Sequence, residues 1–123
     1  MEHVKTYQHQ NYTIEQQTFI IEGPVPSSQL NTMTFDDKLN AFRPYEEQFA
    51  ALKEISDLEE GRIYVLHHNQ HIVGYVTFHY PDEIERWSTG NLPYLIELGA
   101  IEISLPYRSL HLGSELIRLS MSE

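Results

Sequence analysis

Cysteine is absent from the chain, which removes disulfides, thiolate metal sites and a cysteine nucleophile from its possible chemistry. Basic residues are scarce. Eight Lys and Arg stand against eighteen Asp and Glu, giving a formal net charge of −10. The few cations are scattered, so no basic patch offsets the surplus, and neither nucleic acid nor an anionic membrane is expected as a partner. Most of the acids suit a solvated surface; they are also compatible with a basic partner such as a lysine on another protein. Long hydrophobic runs are missing too. None approaches the roughly 18 residues that span a bilayer. The first residues include Glu2, His3, Lys5 and Glu15 rather than an apolar signal core, so a cytoplasmic location is expected.

What is present is a chain of 123 residues, 41% hydrophobic and 21% charged, sufficient for a single domain with a real core. β-Branched and aromatic residues dominate Val4–Ile21, predicting one or two strands, with Thr18–Glu22 the better defined. Gly23, Pro24 and Pro26 end that region, and Ser27 or Ser28 is placed to cap a short helical turn through Leu30. From Pro44 to Leu58 the apolar residues recur at helical spacing, with Glu46 and Glu47 in the first turn where the helix dipole favours anions. Arg62–Leu66 and His71–Tyr80 read as a hairpin joined by His67, His68, Asn69 and Gln70. The segment from Pro81 to Pro93 reads as a loop. Tyr94–Leu105 reads as a strand buried on both faces, and Gly113–Glu123 as a helix that is still running at the last residue.

The chemically informative stretch joins that strand to that helix, from Glu97 to Ser114. Backbone N–H groups at a loop and helix N-terminus point outward, and the dipole adds partial positive charge, so such a junction suits a diphosphate. Gly113 would allow close approach of a ligand, and Arg108 could order the loop or reach a phosphate. The ending of a Walker loop is missing, and so are two of the three glycines of a dinucleotide fingerprint.

With Arg108 first and Gly113 last, the run is similar to the acyl-CoA signature of the GNAT superfamily of N-acetyltransferases, Arg/Gln-x-x-Gly-x-Gly/Ala. It departs at the middle glycine, where His111 stands, and at Ser109, where a further glycine is frequent. A side chain at 111 is expected either to crowd the pyrophosphate or, if its φ is negative, to be tolerated. Ile21–Val25, Ala41–Pro44, Ile72–Thr77, Glu85–Ser88 and Leu95–Glu102 resemble the acetoin-utilisation protein acetyltransferases of bacilli more closely still. The resemblance implies an α/β GNAT fold, a mixed and mainly antiparallel sheet flanked by helices. Members of that family are longer, so this chain is expected to be an N-terminal portion of the domain, lacking its C-terminal part and a poor catalyst alone.

Acetyl-CoA is the co-substrate that the resemblance implies, with no metal. Its diphosphate would lie on the backbone of Leu110, His111, Leu112, Gly113 and Ser114, with Arg108 nearby, and its pantetheine arm would pair with Ile101 and Ile103. The acceptor implied is a lysine of acetyl-CoA synthetase, which acetylation switches off. Two alternatives are a small-molecule N-acetyltransferase and a non-catalytic binding or regulatory module; His111 and the missing C-terminal third favour the latter.

Glu97 is the candidate general base, matching a carboxylate of histone-type members, because an ammonium must lose its proton before attacking a thioester. The competing reading is a structural or substrate-orienting carboxylate. Glu102 ranks second: its odd spacing from Glu97 puts it on the other side of a regular strand, unless a bulge near Gly99 intervenes. His67, His68 and His71 invite a metal, but their spacing is poor for a fixed site. His79 reads as a strand residue, Trp87 as a loop anchor, and Ser114 as either a phosphate donor or a helix-start residue.

Overall fold

The structure, a computed structural model, describes residues 7–58, 61–79 and 97–120, without the side chains of His79, Glu97, Leu98 and Ser109. The expected 81–93 loop with Trp87 lies outside the described residues.

Strands β1 (Gln8–Ile14) and β2 (Gln17–Gly23) form a hairpin in which Glu15 and Gln16 have φ of 50° and 68°. Two successive left-handed residues make a turn whose twist matches the strands it joins. The second hairpin, β4 (Gly61–His68) with β5 (His71–His79), uses the same device at Asn69 and Gln70, φ 52° and 67°. His67 and His68 therefore belong to β4 and not to the connecting turn. Between the hairpins lie α1 (Ser27–Leu30), β3 (Thr34–Phe35) and α2 (Tyr45–Ser56). Pro26, not a serine, occupies the cap position of α1, and Ser27 instead donates its hydroxyl to Asp57 at 2.6 Å. Beyond β5 come β6 (Glu97–Ile103), a 3₁₀ helix (Leu105–Leu110) and α3 (Leu112–Ser120).

Among the described residues one six-stranded sheet results, ordered β1-β2-β4-β5-β3, with β6 also paired to β5. The short β3 runs parallel to the start of β5, and β6 runs antiparallel to the rest. Period-two alternation sorts β4 cleanly. Tyr64 and Leu66 join the core under α3, made with Phe19, Ile21, Val76, Leu112 and Leu116. Ile63 and Val65 join the core under α1 and α2, with Leu30, Phe35, Leu52 and Tyr75. The helix α2 comes so close to the sheet that a Cβ at Gly61 would stand 2.2 Å from the Ile55 carbonyl oxygen. Only glycine fits there.

Candidate active site

Strand β6 departs from a regular ladder at one point. Ala100 pairs with Thr77 while Leu98 pairs with Phe78, so Gly99 is an extra residue on β6. The consequence concerns the two carboxylates. Glu97 is opposite His79 and Glu102 is opposite Tyr75, an even separation on β5, so both occupy register positions on the face towards α2. A strand without the bulge would separate them.

Their environments can be compared only in part, because the Glu97 side chain lies outside the described residues. Glu102 is buried, with both oxygens engaged. One accepts the Tyr75 hydroxyl at 2.8 Å and the other the Ala41 N–H at 2.9 Å. Tyr75 in turn accepts Gln48 Nε2 at 3.0 Å. Burial, reinforced by the bond to Glu102, pushes the Tyr75 phenol far above its ordinary range. Glu102 is thus a brace between β6, β5, α2 and the loop at Ala41. That loop borders a surface groove of about 460 Å³ lined by residues 40–45, with Phe42 exposed at its rim.

The opposite edge of β6 is open. Ser104 donates its N–H to the Val73 carbonyl at 2.7 Å, so alternation turns the backbone groups of Ile103 and Ile101 away from β5. Among the described residues, no strand pairs with that edge. The side chains of both residues are half-buried and packed on the core towards α3, while Glu102 and Ser104 are buried on the other face. Beyond Ser104 the chain enters the 3₁₀ helix, which the sequence reading treats as a plain loop. Arg108 donates Nε to the Ile103 carbonyl at 2.7 Å, tying the loop to the strand end, and its side chain is exposed.

His111 joins the 3₁₀ helix to α3 with φ 61° and ψ 17°. The position is left-handed, contrary to the negative φ under which a side chain is expected to sit comfortably there. A histidine adopts this conformation at a cost that glycine avoids. His111→Gly should therefore raise stability by about 1 kcal/mol, read as a higher urea midpoint at unchanged slope. An unchanged or lower midpoint would show that the imidazole makes good the strain.

Gly113 behaves differently. A Cβ there would lie 3.4 Å from Ile103 Cγ1, ordinary contact, so the fold itself tolerates the alanine that the signature allows. Ser114 donates its hydroxyl to the His111 carbonyl at 3.0 Å, a helix-start bond. The first-turn amides of Leu112, Gly113 and Ser114 have no intrahelical partner and lie at the positive end of the dipole. Glu115 shares that turn, but Arg118 at 2.8 Å and the Tyr12 hydroxyl at 3.0 Å take up its carboxylate and hold it below the usual range. An open strand edge thus leads directly into an anion-receptive helix start, which fits an extended amide-bearing arm ending in a diphosphate.

The three clustered histidines serve separate partners. His67 Nε2 is 2.5 Å from Glu22, His68 Nδ1 bonds the Thr18 carbonyl at 3.0 Å, and His71 Nε2 lies 3.1 Å from Asp36.

Comparison with known proteins agrees with this geometry. Residues 31–122 match the Acetyltransferase (GNAT) family. The chain belongs to the GNAT acetyltransferase family. Over all 123 residues it is 47% identical to the acetoin utilization protein AcuA of Bacillus licheniformis and, equally, to that of Bacillus subtilis, spanning 59% of each. The crystal structure of an acetoin utilization protein from Exiguobacterium sibiricum superposes with a TM-score of 0.87 at 45% identity, over 98% of this chain and 57% of that one. The GNAT fold, a mixed sheet flanked by helices, is therefore that of this chain. Two polar features of this GNAT domain escape sequence reading: the brace on Glu102 and the cluster around Asp36. Both depend on residues far apart in the chain.

Proposed function

We propose that this chain carries the acyl-CoA-binding part of an enzyme that transfers an acetyl group from acetyl-CoA to an amine, a protein lysine above all. The observation that supports it best is the open edge of β6, with the backbone of Ile101 and Ile103 turned outward, running into the start of α3. The pantetheine amides would pair along the edge. The diphosphate would meet the amides from Leu110 to Ser114, with Gly113 offering no side chain to obstruct it. Arg108 serves by ordering the loop.

Glu97 then takes the proton of the acceptor ammonium, directly or through water. The free amine attacks the thioester carbonyl in a ternary complex, and the C–S bond of the tetrahedral adduct breaks. The proton that the nitrogen sheds goes to the departing sulfur, directly or through water, so that CoA leaves as the thiol. Much of the acceleration would come from holding the two reactants together. The net charge of −10 favours the approach of a cationic acceptor. Kinship with acetoin utilization proteins makes acetyl-CoA synthetase the acceptor of first choice, and a cytoplasmic location belongs to the same reading.

The test uses the protein at the full length of its AcuA relatives, of which this chain spans 59%. It supplies acetyl-CoA together with acetyl-CoA synthetase, an unrelated lysine-rich protein, or free polyamines, and locates acetyl groups by mass spectrometry. Acetyl-lysine on the synthetase alone is expected. Acetylation of the polyamines alone would replace the protein acceptor by a small molecule. Transfer to none of them would contradict acetyl transfer.

A further inference from the structure

Ser104 is the residue at which β6 leaves the sheet, and it is fully buried. Each of its polar groups is committed. The N–H goes to Val73, the carbonyl receives the Tyr107 N–H at 2.9 Å, and the hydroxyl donates to Asp36 Oδ1 at 3.0 Å. Asp36 follows β3, which shares with β6 one edge of β5, and its own N–H bonds the Ile72 carbonyl at 2.9 Å. Its carboxylate also accepts the Lys38 N–H at 2.9 Å and lies 3.1 Å from His71 Nε2. Because a carboxylate only accepts, His71 carries its proton on Nε2 when neutral, and Nδ1 then accepts the Thr34 hydroxyl at 2.7 Å. This is a fully partnered cluster whose one reach towards the acyl-CoA site is the Ser104 hydroxyl. Asp36 touches neither the open edge of β6 nor α3.

We infer that Asp36 is a positioning residue for the acyl-CoA site, fixing through Ser104 where β6 turns into the 3₁₀ helix. That turn sets the outward amides of Ile101 and Ile103 relative to the first-turn amides of α3, and the two sets must address one ligand at once. A small change of angle at Ser104 would misalign them without unfolding either element. The inference rests on the acyl-CoA reading of this site.

The experiment measures CoA binding by calorimetry for the parent, Asp36→Ala, Ser104→Ala and the double variant, and records the backbone amide NMR signals of Leu110–Ser114. Each single variant should weaken binding about tenfold and shift those amide signals, with the double variant no worse than the weaker single one. Asp36→Asn, whose amide oxygen still accepts from Ser104, should recover most of the affinity. Thr34→Val, which strips only the outer partner of His71, should bind like the parent. Affinities within twofold of the parent, losses that add in the double variant, or unmoved amide signals would overturn the inference. So would an Asp36→Asn variant as weak as Asp36→Ala. Should Asp36→Ala fail to fold, Ser104→Ala decides alone. A parent that binds no CoA sinks the acyl-CoA reading together with this inference, whereas a parent that binds and variants that match it sink this inference only.

Discussion

Acetyl transfer at neutral pH is expected to fall by roughly 10²-fold or more in Glu97→Gln, the usual worth of a general base. The physical grounds lie in the division of labour on β6. The bulge at Gly99 gives Glu97 and Glu102 register positions on one face, but Glu102 has committed both oxygens to Tyr75 and Ala41. A buried carboxylate with both oxygens engaged offers no free face to an incoming amine. Glu97 is left as the candidate at the far end of the strand. Glutamine keeps the shape and cannot take the proton. CoA affinity should barely move, and the acidic limb of kcat/KM should flatten. Activity should recover in part at high pH, where the amine loses its proton unaided. A variant with the parental rate and the parental acidic limb would make Glu97 structural.

Glu22→Ala should be the most destabilising of the substitutions considered, by about 3–5 kcal/mol, as when one partner of a buried pair is removed. Glu22 and His67 are both buried, with His67 Nε2 at 2.5 Å from the carboxylate. Gln29 Nε2 adds a bond at 2.7 Å, and the Tyr7 hydroxyl donates to the same oxygen. Removing the carboxylate takes a partner from all three, and the cost falls on His67, because Tyr7 is exposed and Gln29 only partly buried. His67 Nδ1 already lacks a partner, so the imidazole would be left with none.

Burial alone would raise the Glu22 pKa, but the bonds from His67, Tyr7 and Gln29 outweigh it and bring the carboxyl from 4.5 down to about 2. A folded-state pKa below the unfolded one stabilises the protein above pH 4.5, and this contribution, about 3 kcal/mol, is lost as pH falls from there through about 2. Urea unfolding at pH 7 and pH 3 would reveal it. The parent should lose more stability between the two than Glu22→Ala does. Equal losses would mean that the carboxyl is not held low in the folded protein.

Much of the fold was legible because it is written in local patterns. Helix α2 follows from apolar residues at helical spacing between Pro44 and Leu58, and the β4–β5 hairpin from two β-rich runs joined by polar residues. Val4–Ile21, by contrast, reads only as one or two strands, and its pairing as the β1–β2 hairpin is a structural fact. Sequence alone makes the turn at Asn69 and Gln70 longer than it is, since His67 and His68 have the composition of loop residues, whereas His67 sits in β4 beside Glu22. The two-residue β3 has no periodicity to detect; it exists because β5 offers it an edge. The site divides in the same way. Arg108, Gly113 and the helix start are contiguous and recognisable, whereas the left-handed φ of His111 and the links from Glu102 to Ala41 and Asp36 to Ser104 are tertiary facts. Gly99 is the intermediate case. A glycine in an apolar strand suggests a bulge, and only the pairing with Thr77 and Phe78 locates it.

Calorimetric titration of CoA into the parent, Gly113→Ala and Gly113→Pro asks directly whether backbone amides at the start of α3 hold the ligand. Alanine keeps the N–H and adds a Cβ that the fold accommodates at 3.4 Å from Ile103. Proline in the first turn of a helix is tolerated but removes the N–H. Gly113→Ala should retain most of the parental affinity. Gly113→Pro should lose about 1–3 kcal/mol, the worth of a hydrogen bond to a charged group, with α3 still folded by circular dichroism. A folded Gly113→Pro that binds CoA as tightly as the parent would place the cradle elsewhere.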